Sequence, residues 1–313
     1  VHVVSPTYAQ EVLLPNAPAV GRHGGEGLEQ DLVVRAAQGD LFGILNGCEY
    51  AADAATPADS VLPDLRESRH ELVTALKLQL AKWLGQGDQL RSSDYLASKT
   101  LEALGKRLSG EPKDCFLVTS VGRITDQKVG LLLSEAGVEL DSGARMTLLD
   151  TLLVQLGERG FLILLGSGDK PLEARLVEHA ARHDNLLFLR GYSETLAEHL
   201  YRSGDLFLMP SLFEPCGISQ LLAMREGQPC LVHSVGGLND TVTAHTGFVF
   251  DGDDLPGKAE AASAAFTAAL QSRADEDGWS ERRALAAANR FTWSAAAASY
   301  RENLYRLPLT PRT

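Results

Sequence analysis

Beyond residue 64 the chain alternates short apolar runs with longer amphipathic stretches. Five runs, Cys115–Ser120, Gly160–Leu165, Leu186–Arg190, Leu206–Met209 and Cys230–His233, are largely apolar and bounded by Gly, Pro, Asp or Ser. Continuous apolar runs of this length predict strands buried on both faces, as in a parallel sheet. Around them, helical spacing of apolar positions predicts helices over Ser68–Leu84, Ser93–Leu108, Met146–Leu156, Pro171–His183, Glu194–Arg202, Gly217–Glu226, Lys258–Gln271, Ser280–Asn289 and Ser294–Arg306. Strand and helix in alternation predict an α/β fold with a doubly wound, Rossmann-like parallel sheet, here of five strands.

The opening of the chain follows a different pattern. Residues 1–14 read as a strand, a Ser5-Pro6 turn and a helix, and Gly21 to Gly27 as a polar, Gly-rich loop carrying Arg22, His23 and Glu26. Leu41 to Asn46 reads as a further strand ending in Asn46-Gly47, a turn signal. Ala51 to Pro63, rich in Ala, Asp, Ser and Pro, reads as a linker. This opening has too little apolar material for a core of its own, and Val1 stands inside a strand pattern rather than at a Met, so a fragment is expected.

Composition narrows the class. With 313 residues, 44% hydrophobic and 22% charged, the chain suffices for one large α/β domain and part of a second. A net charge of −12 argues against nucleic-acid or anionic-membrane partners, which need a basic face. No apolar run is long enough to cross a bilayer, and no charged-then-apolar leader opens the chain. The Ala-rich run Ala259 to Ala269 reads as a packed helix. Cys48, Cys115, Cys216 and Cys230 lack CxxC spacing and read as reduced thiols of a cytoplasmic protein. His179 and His183 lie four apart on a predicted helix, a metal-ligand spacing, but with no third ligand near them in sequence no metal is expected.

The candidate chemistry lies in two segments. Phe213-Glu214-Pro215-Cys216-Gly217-Ile218-Ser219-Gln220-Leu221 reads as a strand end, a carboxylate in a tight turn and a helix start; Gly236-Gly237-Leu238-Asn239-Asp240 adds a second turn and helix start. α/β proteins hold anionic ligands at such places, so the pair points to a sugar-phosphate site. Arg123 and Lys128, five apart after the first strand of the sheet, can both reach the crevice at the strand carboxyl ends, Arg as a two-pronged donor and Lys as a point charge. The same spacing also fits an exposed basic loop, and Glu214-Pro215 alone also fits a plain turn. Tyr192, after Leu189-Arg190-Gly191, is either a platform for a nucleotide base or a rim aromatic. Gly166 and Gly168 read as glycines that permit close backbone approach, Asp240 and Thr241 as helix caps, and Trp293 as an anchor of the last helix. No His stands near Cys216 to activate it, so that residue is expected to act through its backbone.

The order and spacing of these motifs carry a resemblance. Val4-Ser5-Pro6-Thr7-Tyr8-Ala9, Glu26-Gly27-Leu28, Leu45-Asn46-Gly47, Gly122-Arg123-Ile124-Thr125-Asp126-Gln127-Lys128, Leu165-Gly166-Ser167-Gly168-Asp169, Gly191-Tyr192, Phe213 to Leu221, Gly236 to Val242, Thr246-Gly247-Phe248-Val249-Phe250, Phe291-Thr292-Trp293 and Ser299-Tyr300-Arg301 resemble, nearly end to end, the C-terminal half of bacterial glycogen and starch synthases. Those are retaining glucosyltransferases of the GT-B fold. Many retaining GT-B enzymes carry a second Glu eight residues after the first; Leu222 stands there, while Gln220-Leu221 fits the synthase pattern.

The resemblance implies transfer of α-glucose from ADP-glucose to the non-reducing end of an α-1,4-glucan, with retention, without metal or cofactor and with ADP as product. It implies Glu214, Arg123 and Lys128 as catalytic residues, Glu214 stabilising positive charge on the sugar, and Gly166, Tyr192, Cys216, Gly217, Ile218, Ser219, Gly236 and Gly237 as donor-binding. It also implies a division into residues 1–50, a remnant of an N-terminal acceptor-side domain; 51–290, the nucleotide-sugar domain; and 291–313, a helix crossing back towards the missing N-terminal domain of the same polypeptide. On that division the isolated chain binds nucleotide without transferring glucose, and Ala298, Tyr300, Leu304 and Tyr305 are partly exposed. Departures from the family pattern are Val129 before Gly130, a long stretch from Leu131 to Ala144, Val235 in place of Thr, and His233-Ser234 where basic residues are common. A GT-B transferase with another nucleotide-sugar or acceptor, and a non-catalytic nucleotide- or glucan-binding module, are the alternative readings.

Overall fold

The computed structural model describes residues 1–50, 62–85, 91–139 and 145–306; residues 51–61 of the linker reading, residues 140–144 of the long stretch and residues 307–313 of the last segment lie outside them. The chain opens with β1 (His2–Val3), α1 (Pro6–Glu11), α2 (Glu29–Ala37) and β2 (Phe42–Gly43), and the two strands pair in parallel. Next come α3 (Leu65–Gly85), α4 (Ser92–Leu108), β3 (Phe116–Val121) and the single-turn α5 (Asp126–Val129). An antiparallel pair, β4 (Glu135–Glu139) and β5 (Arg145–Thr147), occupies the stretch that looked long in sequence. The rest alternates: α6 (Leu148–Leu156), β6 (Gly160–Gly166), α7 (Lys170–Arg182), β7 (Leu186–Arg190), α8 (Glu194–Ser203), β8 (Leu206–Met209), α9 (Ser219–Arg225), β9 (Cys230–His233), α10 (Gly236–Thr241) and β10 (Gly247–Phe250). Helices α11 (Leu255–Ser272), α12 (Glu276–Ala288) and α13 (Trp293–Ser299) follow, the last running into a π-helical turn over Tyr300–Leu304.

All five expected strands lie in one parallel sheet, but the sheet has six, in the order β10-β9-β8-β3-β6-β7. The missed strand is β10. It lies at an edge with Val249 exposed, and its run Gly247-Phe248-Val249-Phe250 is as short and apolar as that of β8, so the signal was present in the sequence. Successive residues of the central strands go to opposite faces: Leu117, Ile163 and Leu165 pack with Leu72, Leu76 and Leu200, whereas Val118, Leu162 and Leu164 pack with Leu149, Leu152 and Phe266. Helices therefore cover both faces, which is the doubly wound architecture.

Helix ends differ from expectation where a cap or turn decides them. α6 starts at Leu148, not Met146, because Thr147 and Asp150 form a reciprocal capping box. α9 starts at Ser219, not Gly217, because Gly217 has a φ of +76°. α11 and α12 start earlier than expected, capped by Asp254 and Asp275. Asp240 lies inside α10 and is not its cap; its carboxylate accepts from Thr7 N at 2.9 Å and Thr7 Oγ1 at 2.7 Å, tying the opening segment to the main sheet's helices. His179 and His183 also have the third potential ligand that the sequence reading found lacking, since α6 brings Asp150 to them.

At the amino ends of the two middle strands lies an almost fully buried ion pair, Arg69 with Asp205. Arg69 also donates to the carbonyls of Ser203 (3.2 Å), Pro112 (2.7 Å) and Cys115 (3.2 Å), while Asp205 accepts from Leu117 N (2.7 Å) and Arg273 Nε (3.2 Å). Breaking a buried pair leaves the surviving charge uncompensated, so Asp205→Asn should cost about 3–5 kcal/mol of unfolding free energy. Urea denaturation followed by circular dichroism checks this; a loss under about 1 kcal/mol would mean that water or neighbours replace the pair.

Candidate active site

The sheet winds outward in both directions from β3 and β8, and ligands of such folds bind at the carboxyl ends of strands around that reversal. A cavity of about 670 Å³ opens there, lined by the loops that follow β3, β6 and β7 and by the start of α9. Of the residues singled out in the sequence, Arg123, Gly166, Tyr192, Ile218 and Ser219 line it. Lys128, Glu214, Cys216, Gly217, Gly236 and Gly237 do not.

The wall after β3 depends on close backbone approach. Ile124 N donates to Ser167 O (3.0 Å) and Asp169 N to Ile124 O (2.7 Å), so this loop and the one after β6 run side by side. A Cβ on Gly166 would collide with the carbonyl oxygen of Gly122. The Arg123 side chain is exposed and, among the described residues, has no hydrogen-bond or ion-pair partner. Tyr192 is 71% exposed on the same cavity.

Behind this wall, α5 packs against the loop after β8. Leu212 N donates to Gln127 O (2.9 Å) and Gln127 Nε2 to Phe213 O (2.6 Å). That docking sets Lys128 Nζ on Glu214 Oε2, which also accepts from Ser211 Oγ at 3.2 Å. Glu214 is buried, and its Oε1 is unbonded among the described residues. A small hollow of about 20 Å³ is lined by Lys128 and shares Val121, Gly122 and Arg123 with the main cavity, so Lys128 adjoins the cavity without lining it.

The Gly236-Gly237 turn supports this loop from the other side. Gly237 N donates to Glu214 O (3.0 Å), and Gly236 N donates to Glu11 Oε1 (2.8 Å), so both N–H groups are occupied within the chain. Gly236 has a φ of +43°, and a Cβ there would strike the Glu214 carbonyl. Burial pushes the Cys216 thiol up, the opposite of what a nucleophile needs. Burial pushes the Glu11 carboxyl up as well, against the lowering effect of its bond from Gly236.

Sequence reasoning missed several contributors. His233 is buried, donates from Nδ1 to Ser211 O (2.9 Å) and stacks on Phe250; burial, then Lys258, push its pKa down against the raising effect of Ser211 and Asp251. It therefore supplies no cation where basic residues are common in the family pattern. Gly47, Cys48 and Glu49 line the cavity because Cys48 N donates to Phe291 O (2.8 Å) and Phe291 N to Tyr50 Oη (2.8 Å). Arg225 Nη1 holds Glu49 O at 2.8 Å. Trp293 begins α13 and also lines the cavity, a place beyond the anchoring role expected of it. The Asn46-Gly47 and Phe291-Thr292-Trp293 signals were visible in sequence; that they meet was not.

Comparison with known proteins gives the same direction. Residues 143–268 match the family described as glycosyl transferases group 1. Glycogen synthase of Deinococcus radiodurans is 35% identical over 98% of this chain and 56% of that protein, and glycogen synthase of Geotalea daltonii 32% identical over 100% and 55%. The catalytic domain of starch synthase IV from Arabidopsis thaliana, solved with ADP and acarbose bound, superposes with a TM-score of 0.62 at 28% identity, covering 97% of this chain and 55% of that one. The chain thus spans about half the length of the relatives it matches.

Two stability outcomes follow from the geometry. Lys128→Met should destabilise the chain by about 2–5 kcal/mol in urea, because it strands a buried carboxylate, whereas Arg123→Ala should stay within about 0.5 kcal/mol. Equal effects would contradict the pairing. His233 is neutral in the fold where the unfolded chain, with its pKa near 6.5, takes up a proton. Its contribution to stability is present above that value and is lost as pH falls below it. Denaturation midpoints from pH 7 to about 5 should fall less in His233→Gln than in the parent chain; parallel curves would remove this role.

Proposed function

Because the chain belongs to the glycogen/starch synthase family of glycosyltransferases and spans about half its relatives' length, we propose that its cavity is the donor site for ADP-glucose in an α-1,4-glucan synthase. The reaction in this reading is transfer of glucose to the non-reducing end of the glucan with retention of configuration. One observation carries it: an arginine without a partner among the described residues and an exposed tyrosine share a cavity at the sheet's reversal point, and a partly buried lysine, paired with a buried glutamate, lines a hollow beside it.

The chemistry needs positive charge at the departing diphosphate and negative charge at the sugar. Arg123, with no other partner among the described residues, grips phosphate oxygens through paired N–H groups, and Lys128 adds a second fixed charge beside it. Tyr192 offers its ring to the adenine. Glu214, held by Lys128 and Ser211 through Oε2, turns its Oε1 to the glucose on this reading, where it stabilises the oxocarbenium-like transition state. Gly166 lets the backbone close under the donor, and Ile218 and Ser219 form its floor. Gly217, Gly236, Gly237 and Cys216 act on this reading by shaping the loop that carries Glu214. No metal or cofactor is assigned to the transfer. On this reading the acceptor glucan binds outside the residues assigned to the donor, and four unpaired, buried thiols agree with a cytoplasmic setting. The ADP bound to the Arabidopsis starch synthase supports the adenine nucleotide.

Calorimetry on this chain tests the reading directly. ADP should bind more tightly than UDP, and Arg123→Ala should weaken ADP by about 1.5–3 kcal/mol, the value of a charged hydrogen bond. Glu214→Gln should leave ADP affinity within about 0.5 kcal/mol, because its charge acts on the sugar in the transition state. Unchanged ADP affinity in Arg123→Ala, or tighter binding of UDP, would overturn the donor assignment.

A further inference from the structure

Away from the cavity, α6 and α7 bring three metal-ligating side chains to one point. His179 lies in the last turn of α7 and His183 caps it, four residues on, so both reach the same side. Asp150, in the first turn of α6, meets them: its Oδ1 is 2.8 Å from His179 Nδ1 and 2.7 Å from His183 Nε2, and one ligand atom from each residue falls within 4.8 Å of the others. None of the three lines the cavity.

The carboxylate is held in this orientation. Thr147 N (3.1 Å) and Thr147 Oγ1 (2.8 Å) both donate to Asp150 Oδ2, which leaves Oδ1 to the histidines. Hydrogen bonds of this kind aim a carboxylate at a metal. Asp150 and His179 are buried, while the His183 side chain is 20% exposed and opens the group to water on one side.

Around His179 two contacts compete. His179 Nδ1 lies 2.8 Å from Asp150 Oδ1, which requires a proton on that nitrogen, and 2.9 Å from Arg182 Nη2, which requires a lone pair on it. One ring nitrogen cannot supply both. Arg182 Nη2 is also 3.6 Å from Asp150 Oδ1, and its side chain is 59% exposed; with a cation between the two imidazole lone pairs and Oδ1, the nitrogen becomes a ligand and Arg182 turns to water.

We propose that Asp150, His179 and His183 form a binding site for a divalent transition metal of the zinc type. Two imidazoles and a carboxylate suit that ion, and three protein ligands leave a fourth position for water on the His183 side. Ligand bonds near 2.1 Å in a tetrahedron set the ligand atoms roughly 3.4 Å apart, so each hydrogen-bonded pair opens by about 0.6 Å as the ring protons leave. The ion ties the start of α6 to the end of α7, two helices packed on one face of the sheet, and takes no part in sugar transfer.

The test uses the untagged chain, freed of metal with chelator, titrated with Zn²⁺ by calorimetry and with Co²⁺ by visible absorption. One equivalent should bind saturably, give the intense visible bands of low-coordinate cobalt and raise the thermal midpoint. His183→Gln and Asp150→Asn should each weaken Zn²⁺ by at least about tenfold and abolish the bands, whereas His199→Gln, outside the cluster, should bind as the parent does. Circular dichroism confirms folding, and if Asp150→Asn unfolds, His183→Gln at the more exposed ligand decides alone. Failure to take up one equivalent, or equal uptake by His183→Gln, would overturn the site.

Discussion

The buried pair of Arg69 and Asp205 sits where the two halves of the sheet meet. Strands β3 and β8 pair through only two residue pairs, Val118 with Leu206 and Thr119 with Phe207, yet β6 and β7 build outward from one and β9 and β10 from the other. Asp205 reaches across this short join to the backbone N–H of Leu117, and Arg69 gathers the carbonyls of Ser203, Pro112 and Cys115 around it. The carboxyl ends of the same two strands carry the Arg123 loop and the Glu214 loop. Their spacing, and so the reach between Lys128 and Glu214, rests on a lock at the far end of the strands.

Charge is divided between the cavity and its support. Arg123 faces solvent without a partner among the described residues, which costs little because an exposed guanidinium stays hydrated, and it remains available to an anion. The partly buried Lys128 neutralises Glu214, whose buried carboxylate would be expensive in isolation. Nearby groups that could compete are tuned towards neutrality: burial keeps His233 unprotonated and holds the Cys216 thiol in its protonated form. The strongest local field is thereby set by a few fixed groups within an acidic chain.

What could be read from sequence follows from how local each feature is. Five strands, the four inner ones and the edge strand β7, were legible because burial on both faces leaves mostly apolar residues; β10, the other edge, carries a similar run in Gly247-Phe248-Val249-Phe250 although Val249 is exposed. Arg123, Lys128, Tyr192 and Glu214 were legible as residue types near strand ends. The pairing of Lys128 with Glu214 across 86 residues was not, nor was the capture of Gly236 N by Glu11 across 225. The same holds for Asp150, whose capping role is written locally in Thr147-Leu148-Leu149-Asp150 but whose contacts with His179 and His183 depend on how two helices lie against each other. Long-range contacts of this kind carry no short sequence period, so they appear only with the fold.

The strap formed by Cys48, Tyr50 and Phe291 has a kinetic meaning. Its hydrogen bonds join segments about 240 positions apart, so closing it costs more chain entropy than pairing any two neighbouring strands of the sheet. The sheet and its helices are made of nearer contacts and carry most of the buried apolar residues, whereas the strap contributes few. In order of assembly the wall bearing Gly47 and Trp293 therefore comes after the sheet, and in order of loss it comes before it. The cavity is a late product of folding, and its completeness reports that the two ends of the chain have met.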